Sequence, residues 1–191
     1  MGLISLIAGG IHDANRAIKQ NQAQGNDEVQ NVVVNNQYSI NVPTFLTPTN
    51  KLGEDASLQY WNKTLDISFQ VIDEPKQVFL DSLKELREEV PDFGKGEPLL
   101  HNMAMLTLGN LFDDMDKVEI GNYLETNING LNALTLNAFQ KSSFFKDALY
   151  GSFAFVEGKN TLYQIIILSG GTSINKLADK LEQSIKSFKE L

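Results

Sequence analysis

Tyr38-Ser39-Ile40-Asn41-Val42-Pro43 opens the stretch that decides the fold. A turn-rich interval leads to Leu58-Gln59-Tyr60-Trp61-Asn62 and Leu65-Asp66-Ile67-Ser68-Phe69-Gln70-Val71, and at Pro75 the pattern becomes helical. Within these runs apolar residues alternate with polar ones: Tyr38, Ile40 and Val42; Leu58 and Tyr60; Ile67, Phe69 and Val71. A period of two is the spacing of a strand with one face buried. Several such runs in succession describe an antiparallel sheet with one wetter face. Upstream, Val32-Val33-Val34 adds a short strand that turns into Tyr38 across Asn35-Asn36, a natural turn pair.

Downstream, Pro75 suits the first turn of a helix. Phe79, Leu83, Leu86 and Val90 form its apolar stripe, and Pro91 and Gly94 end it. The spacing predicts a second helix from about Pro98 to Met115, burying Leu99, Met103, Leu106 and Phe112. From Val118 to Leu168 the strand signal returns. Phe153–Val156 and Leu162–Leu168 flank Glu157-Gly158-Lys159-Asn160 as a hairpin. Leu162–Leu168 is apolar on both faces, so it is expected at the centre of the sheet and covered on both sides. A last helix, capped by Thr172 or Ser173, carries Ile174, Leu177, Leu181, Ile185 and Phe188 on one stripe. Phe69, Phe155, Ile165, Ile167, Leu181 and Ile185 are expected to share a core.

At 191 residues the chain fits one domain with extensions. Its net charge of −8 is the wrong sign for the electrostatic footprint of a nucleic-acid binder, and anionic lipid would repel it. Asp73 to Glu119 holds 12 acidic and 5 basic residues, a net −7. That stretch is either a solvated helix face or a docking face for a basic partner. The chain has no cysteine, which excludes disulfides, thiolate metal sites and cysteine nucleophiles.

Residues 1–20 read as an N-terminal amphipathic helix. Leu3, Ile7, Ile11, Ala14 and Ile18 recur at steps of four, four, three and four. Their apolar run is too short to span a bilayer, no basic residue precedes it as in a signal peptide, and Leu6 stands where a myristoylation motif has Ser or Thr. Residues 21–31 are polar and without period, a linker, and the domain proper is expected over 32–191. A helix this short is marginal alone in water, so its stripe needs a surface. Leu3, Ile7, Ile11 and Ile18 are the candidate contact residues, for a protein partner or a second copy, with the domain's own core as the alternative.

The order of strands, two acidic helices, antiparallel strands and a C-terminal amphipathic helix resembles that of PsbP-like proteins. Tyr38–Pro43, together with Tyr163-Gln164-Ile165-Ile166-Ile167 and Ile185-Lys186-Ser187-Phe188, resembles the start and finish of the bacterial DcrB-like branch. Leu58–Asn62 through Val71-Ile72-Asp73-Glu74 resembles uncharacterised relatives from Bacteroidetes. The likeness covers about residues 37–190. It implies an α+β fold, an antiparallel β-sheet with helices packed on both faces, a PsbP-like α/β/α sandwich. It also implies accessory or protein-binding work without catalysis and without a cofactor, and it carries over no catalytic residue. Members of the family include an extrinsic photosystem II subunit, a binder of a small GTPase, an envelope lipoprotein and chaperones of secreted toxins. The lipoprotein members' cysteine is absent here, where Gly10 follows Ile7-Ala8-Gly9, so the cytoplasm is expected ahead of the envelope.

Catalytic patterns are sparse. The histidines are His12 and His101, with no His-x-x-x-His pair, so no metal site is expected. Asp113-Asp114-Met115-Asp116 is the densest acidic cluster but lacks the turn glycine and distal Glu of a calcium loop. Ser143-Phe144-Phe145-Lys146 and Ser173-Ile174-Asn175-Lys176 match Ser-x-x-Lys without the partner motifs. Asn62-Lys63-Thr64 is a formal glycosylation sequon inside predicted strands. The reading is therefore a non-catalytic accessory or adaptor protein that binds another protein, with a secretion- or envelope-associated chaperone as its special form. The alternative is a small-molecule-binding or hydrolytic domain with a pocket near His101 and Asp113–Asp116.

Overall fold

Asn35 and Asn36 both take positive φ, 49° and 56°, a conformation asparagine tolerates better than most residues. They turn strand β1 (Val29–Val34) back onto β2 (Tyr38–Pro43), with Gln37 N donating to Val34 O at 2.8 Å. The computed structural model describes residues 19, 21–23, 27–112, 114–141, 148–170 and 173–191, the side chains of 173–176 excepted. The stripe Leu3, Ile7, Ile11, Ala14 and Ile18, together with Asp113, Ser143, Thr172 and the side chain of Ile174, lies outside the described residues.

After the two-residue β3 (Thr47–Pro48) come β4 (Ala56–Asn62) and β5 (Ile67–Pro75), then helices α1 (Lys76–Glu89) and α2 (Leu99–Leu111). A 3-10 turn (Met115–Lys117) leads into β6 (Val118–Ile120), β7 (Leu124–Ile128), β8 (Leu131–Gln140), β9 (Leu149–Glu157) and β10 (Thr161–Gly170). Helix α3 (Ser173–Lys186) and β11 (Lys189–Glu190) finish the chain. Every strand pairing among the described residues is antiparallel. The large sheet runs β3-β4-β5-β10-β9-β8-β6, with β7 on β8 beside β6. β10 sits at its centre, as its two apolar faces predict.

Two cores follow from that central strand. Tyr163, Ile165 and Ile167 face α3 (Leu177, Leu181, Ile185) and the small sheet (Tyr38, Ile40, Val42). Leu162 and Ile166 face α1 and α2, with Phe79, Leu83, Met103, Leu108 and Phe112. The fold is the α+β arrangement expected, helices on both faces of an antiparallel sheet.

Several details differ from expectation. β2 lies outside the large sheet, in a three-stranded sheet of order β1-β2-β11 that shares the α3-side core. Alternation along one strand cannot say which sheet the strand joins. The first strand begins at Val29, inside the stretch read as polar linker, and residues 21–23 are helical with Ala23 buried against α3's core. Backbone pairing with β2, from Val29 opposite Pro43, holds polar Gln30 and Asn31 in the strand. Phe155 belongs to the α1/α2 core. In β9, Phe153 and Phe155 point to that side, and Ala154 and Val156 point to α3. The second helix ends at Leu111, and its buried face is Leu100, Met103, Ala104, Thr107 and Leu108, so Leu99 and Leu106 only flank it. Val90 lies past the end of α1, half exposed.

The C-terminus is tied down. Tyr38, Tyr163 and Phe188 form an aromatic cluster with centroids 4.8–5.5 Å apart. Tyr163 Oη donates to Glu190 Oε1 at 3.1 Å, Lys159 N donates to Glu190 Oε2 at 3.1 Å, and Leu191 N donates to Gln37 O at 2.8 Å. Gly158 is required beneath this clasp, because a Cβ there would sit 2.2 Å from Glu190 Oε1 and 2.8 Å from the Tyr163 ring.

Leu181 is 1% exposed. Leu181→Ala is expected to cost about 2–5 kcal/mol, as large-to-small core changes do, and an unchanged urea midpoint would show that α3 is not packed on this core. Burial, then the Glu190 carboxylate, pushes the Tyr163 phenol up to about 12, and burial pushes Tyr38 higher still. An unfolded tyrosine ionises near pH ~10, so above that pH the folded protein keeps a proton the unfolded chain has lost. The stabilisation is complete below about pH 10 and is lost as pH rises through about 12. Urea midpoints measured from pH 8 upward should fall over that window, and the fall should be shallower in Tyr163→Phe.

Candidate functional site

Pro98 gives α2 its start, and the first turn carries His101 to the end of the sheet where β7 and β8 meet. There Pro98, Leu99, His101, Glu125, Asn132 and Glu157 line a hollow of about 470 Å³. The His101 ring meets Tyr123 edge-on, centroids 5.3 Å apart at 84°. Glu97 Oε2 lies 3.5 Å from His101 Nδ1, close enough for an ion pair yet off the line of a hydrogen bond, so buried Nδ1 has no hydrogen-bond partner among the described residues. Glu157 is engaged by Lys76 Nζ, and Glu125 is exposed. Burial, then the Glu97 charge, raises the Tyr123 phenol. Two carboxylates thus line the hollow, a third stands behind its imidazole, and the lysine at hand is already paired.

The acidic cluster does not join it. Asp114 Oδ2 accepts from Lys117 Nζ at 2.6 Å, a hydrogen bond that holds its carboxyl below the usual range. Its carbonyl accepts from Gln140 Nε2 at 3.5 Å at the far end of β8. Leu134, at the hollow, and Gln140 are six residues apart on one strand, which is about 20 Å at ~3.3 Å per residue. The pocket expected near His101 and Asp113–Asp116 is therefore corrected: the described Asp114 and Asp116 are remote from His101, because α2 runs the length of the sheet between them. Among the described residues no group of three or more His, Asp or Glu is placed to hold a metal ion. No described helix is long and apolar enough to cross a membrane. The sequon asparagine is occupied: Asn62 Nδ2 donates to Phe45 O at 2.7 Å, and its Oδ1 accepts from Thr64 N and Leu65 N at 3.1 Å.

What the sequence reading missed is the edge of the sheet beside the hollow. β7 pairs with β8 alone, so its outer row of N–H and C=O groups has no strand partner among the described residues. Leu124 on it is 60% exposed, and Tyr123 and Ile120 stand out beside it. The Asn129-Gly130 turn, both residues at positive φ, was the legible signal for the β7–β8 hairpin. That β7 has no outer strand neighbour among the described residues depends on the whole strand order, which no local pattern reports.

No protein-family model matches the chain, and no curated protein matches it in sequence. Solved structures do match in shape. Cyanobacterial PsbP (CyanoP) from Synechocystis sp. PCC 6803 aligns with a TM-score of 0.58 at 10% identity, over 86% of this chain and 94% of that one. A point mutant of the protein Mog1 aligns at 0.50 and 11% identity, over 85% and 95%. The Saccharomyces cerevisiae Ran-binding protein Mog1p aligns at 0.49 and 12% identity, over 85% and 95%. The fold is PsbP/Mog1-like.

His101→Gln should keep stability within about 0.5 kcal/mol of the parent's, since the ring makes no hydrogen bond to a described residue. A larger loss, measured by thermal denaturation, would show that the Tyr123 contact anchors α2.

Proposed function

We propose that this protein is a non-catalytic accessory or adaptor protein whose work is to bind another protein. The observation that carries the reading is the open edge of β7, with Leu124 exposed on it and the carboxylates Glu97, Glu125 and Glu157 in and beside the adjoining hollow. An unpaired strand edge is a template for an added strand. The carboxylates beside it favour a partner segment with basic side chains. Nothing comparable supports chemistry: His101 has no described nucleophile and no carboxylate in hydrogen-bonding geometry beside it.

The stripe Leu3, Ile7, Ile11 and Ile18 belongs to the proposal as a second contact, with a partner or with another copy. Burying each large aliphatic side chain gains about 1.5–3 kcal/mol. The finer readings, a chaperone for a secreted or envelope protein and a place in the bacterial DcrB-like branch, rest on the sequence resemblance alone.

The test uses the full chain as bait for proteins of the native host, with each capture confirmed by purified components. Leu124→Lys is expected to weaken the association at least about tenfold by loss of apolar contact and strand addition. Ile7→Asp with Ile11→Asp is expected to do the same and to leave the urea midpoint unchanged. A confirmed partner whose affinity ignores Leu124→Lys would remove the β7 edge from the function. A large loss of stability in the double aspartate variant would assign the stripe to the domain's own core.

A further inference from the structure

Between α1 and α2 the helix-side face of the sheet is not fully covered. A groove of about 650 Å³ runs there, floored by β5 and β10, and walled by Phe79 of α1 and by Met103, Leu106 and Leu111 of α2. The loop at Leu52–Asp55 forms one lip, held by Leu52 N donating to Gln59 Oε1 at 2.9 Å. The loop joining the helices is tied to both: Arg87 Nη2 of α1 donates to Gly94 O at 2.8 Å, and buried Asn102 Nδ2 of α2 donates to Glu97 O at 2.9 Å and Pro98 O at 3.0 Å. The volume falls in the range of small-molecule sites, roughly 300–1,000 Å³.

The floor is the unusual part. Two glutamines stand where a helix-covered sheet face ordinarily carries aliphatic residues. Gln70 as a whole is 8% exposed; its carboxamide has no hydrogen-bond partner among the described residues and keeps contact with the groove's solvent. Its neighbours Phe69 and Val71 belong to the opposite core, so alternation aims Gln70 into the groove. Gln164 lies on the adjacent strand, opposite Ile72. Thr107 Oγ1 is 2.9 Å from Met103 O and 2.7 Å from Gln164 Oε1, and its hydroxyl has one proton for the two contacts. If that proton goes to Met103, the Gln164 amide turns its NH2 to the hydroxyl and presents its oxygen to the groove. If it goes to Gln164, the NH2 faces the groove. In both cases half of the amide is left for something else. The Gln70 amide still reaches solvent through the groove, so its donors and acceptor are open to a ligand.

We propose that this groove is a binding site for an uncharged or cationic amphipathic molecule that presents an amide to the floor. Gln70 and Gln164 offer donors and acceptors matched to an amide, and the apolar walls take a hydrophobic group. The charge excludes anions. Asp55, Asp73 and Glu74 stand at the rim, no Lys or Arg among the described residues lines the groove, and burial already raises the Glu74 carboxyl. The site is separate from the β7 edge, and its test does not depend on the partner contact proposed there.

The experiment uses the full chain labelled with 15N and three matched probes: N-acetyl-L-phenylalanine amide (neutral), L-phenylalaninamide (cationic) and N-acetyl-L-phenylalanine (anionic). Titration of the neutral and cationic probes should move the side-chain NH2 signals of Gln70 and Gln164, and the anion should bind at least about tenfold more weakly for want of a counter-charge. Gln70→Leu should weaken the neutral probe at least about fivefold while its melting midpoint stays level, because the Gln70 amide makes no hydrogen bond to a described residue that the change would break. Ser82→Trp, on the exposed side of α1, should plug the groove without touching the floor and also abolish the shifts. The proposal is overturned if millimolar neutral probe leaves both carboxamide signals in place, if the shifts survive Gln70→Leu or Ser82→Trp, or if the anion binds as well as the amides.

Discussion

The contact on which the rest of this structure depends is the aromatic cluster of Tyr38, Tyr163 and Phe188. Each ring comes from a different piece: β2 of the small sheet, β10 at the centre of the large sheet, and the segment between α3 and β11. Aromatic pairs in such geometries add about 0.5–1.5 kcal/mol beyond the area they bury. Position matters more than that increment here. Without the cluster the small sheet would be held against the large one by α3, by the apolar contacts of Ile40 and Val42, and by the Lys159–Glu190 hydrogen bond. Phe188 also sets the start of β11, whose pairing with β2 closes the three-stranded sheet. The polar ends of both tyrosines are satisfied: Tyr38 Oη shares a 2.8 Å hydrogen bond with Ser57, and Tyr163 reaches Glu190.

From that anchor the two faces of β10 build two cores of different character. The α3 side is closed by tyrosines, β-branched residues and leucines. The other side is packed where Phe153, Phe155, Leu108 and Phe112 meet, and thins toward β5, where Gln70 and Gln164 interrupt the apolar floor. The same β-strand alternation that buries Val71 and Ile165 on one face delivers the two amides to the other.

Much of this was legible in the sequence because it is local. Asn35-Asn36 and Asn129-Gly130 mark hairpins through conformations few other residues accept, Glu157–Asn160 marks another by its composition, and the stripe Leu177, Leu181, Ile185 identifies α3 by spacing alone. What escaped is relational. β2 has the same alternation whether it joins the large sheet or a small one. Phe155 looks like any inward aromatic until the register of β9 against β10 fixes its side. Gln70 reads as the polar half of an amphipathic strand, and only the position of α1 and α2 makes it the floor of a groove. His101 and the acidic cluster flank one helix in sequence, yet the length of that helix separates them.

Charge gives the two candidate surfaces a common logic. The hollow beside β7 has Glu125 and Glu157 in its lining and Glu97 behind His101, with Lys76 already committed to Glu157. The groove between the helices has three carboxylates at its rim and no basic residue in its described lining. Both therefore penalise anions and lipid headgroups of negative charge, in keeping with the net −8 of the chain. A surface of this sign selects basic or neutral ligands by repelling the others. It also speeds the approach of cations, at a cost in self-repulsion that the fold offsets with its two apolar cores. The edge of β7 adds backbone hydrogen bonds, which any extended segment can form. The carboxylates beside it supply the discrimination that an open strand edge lacks.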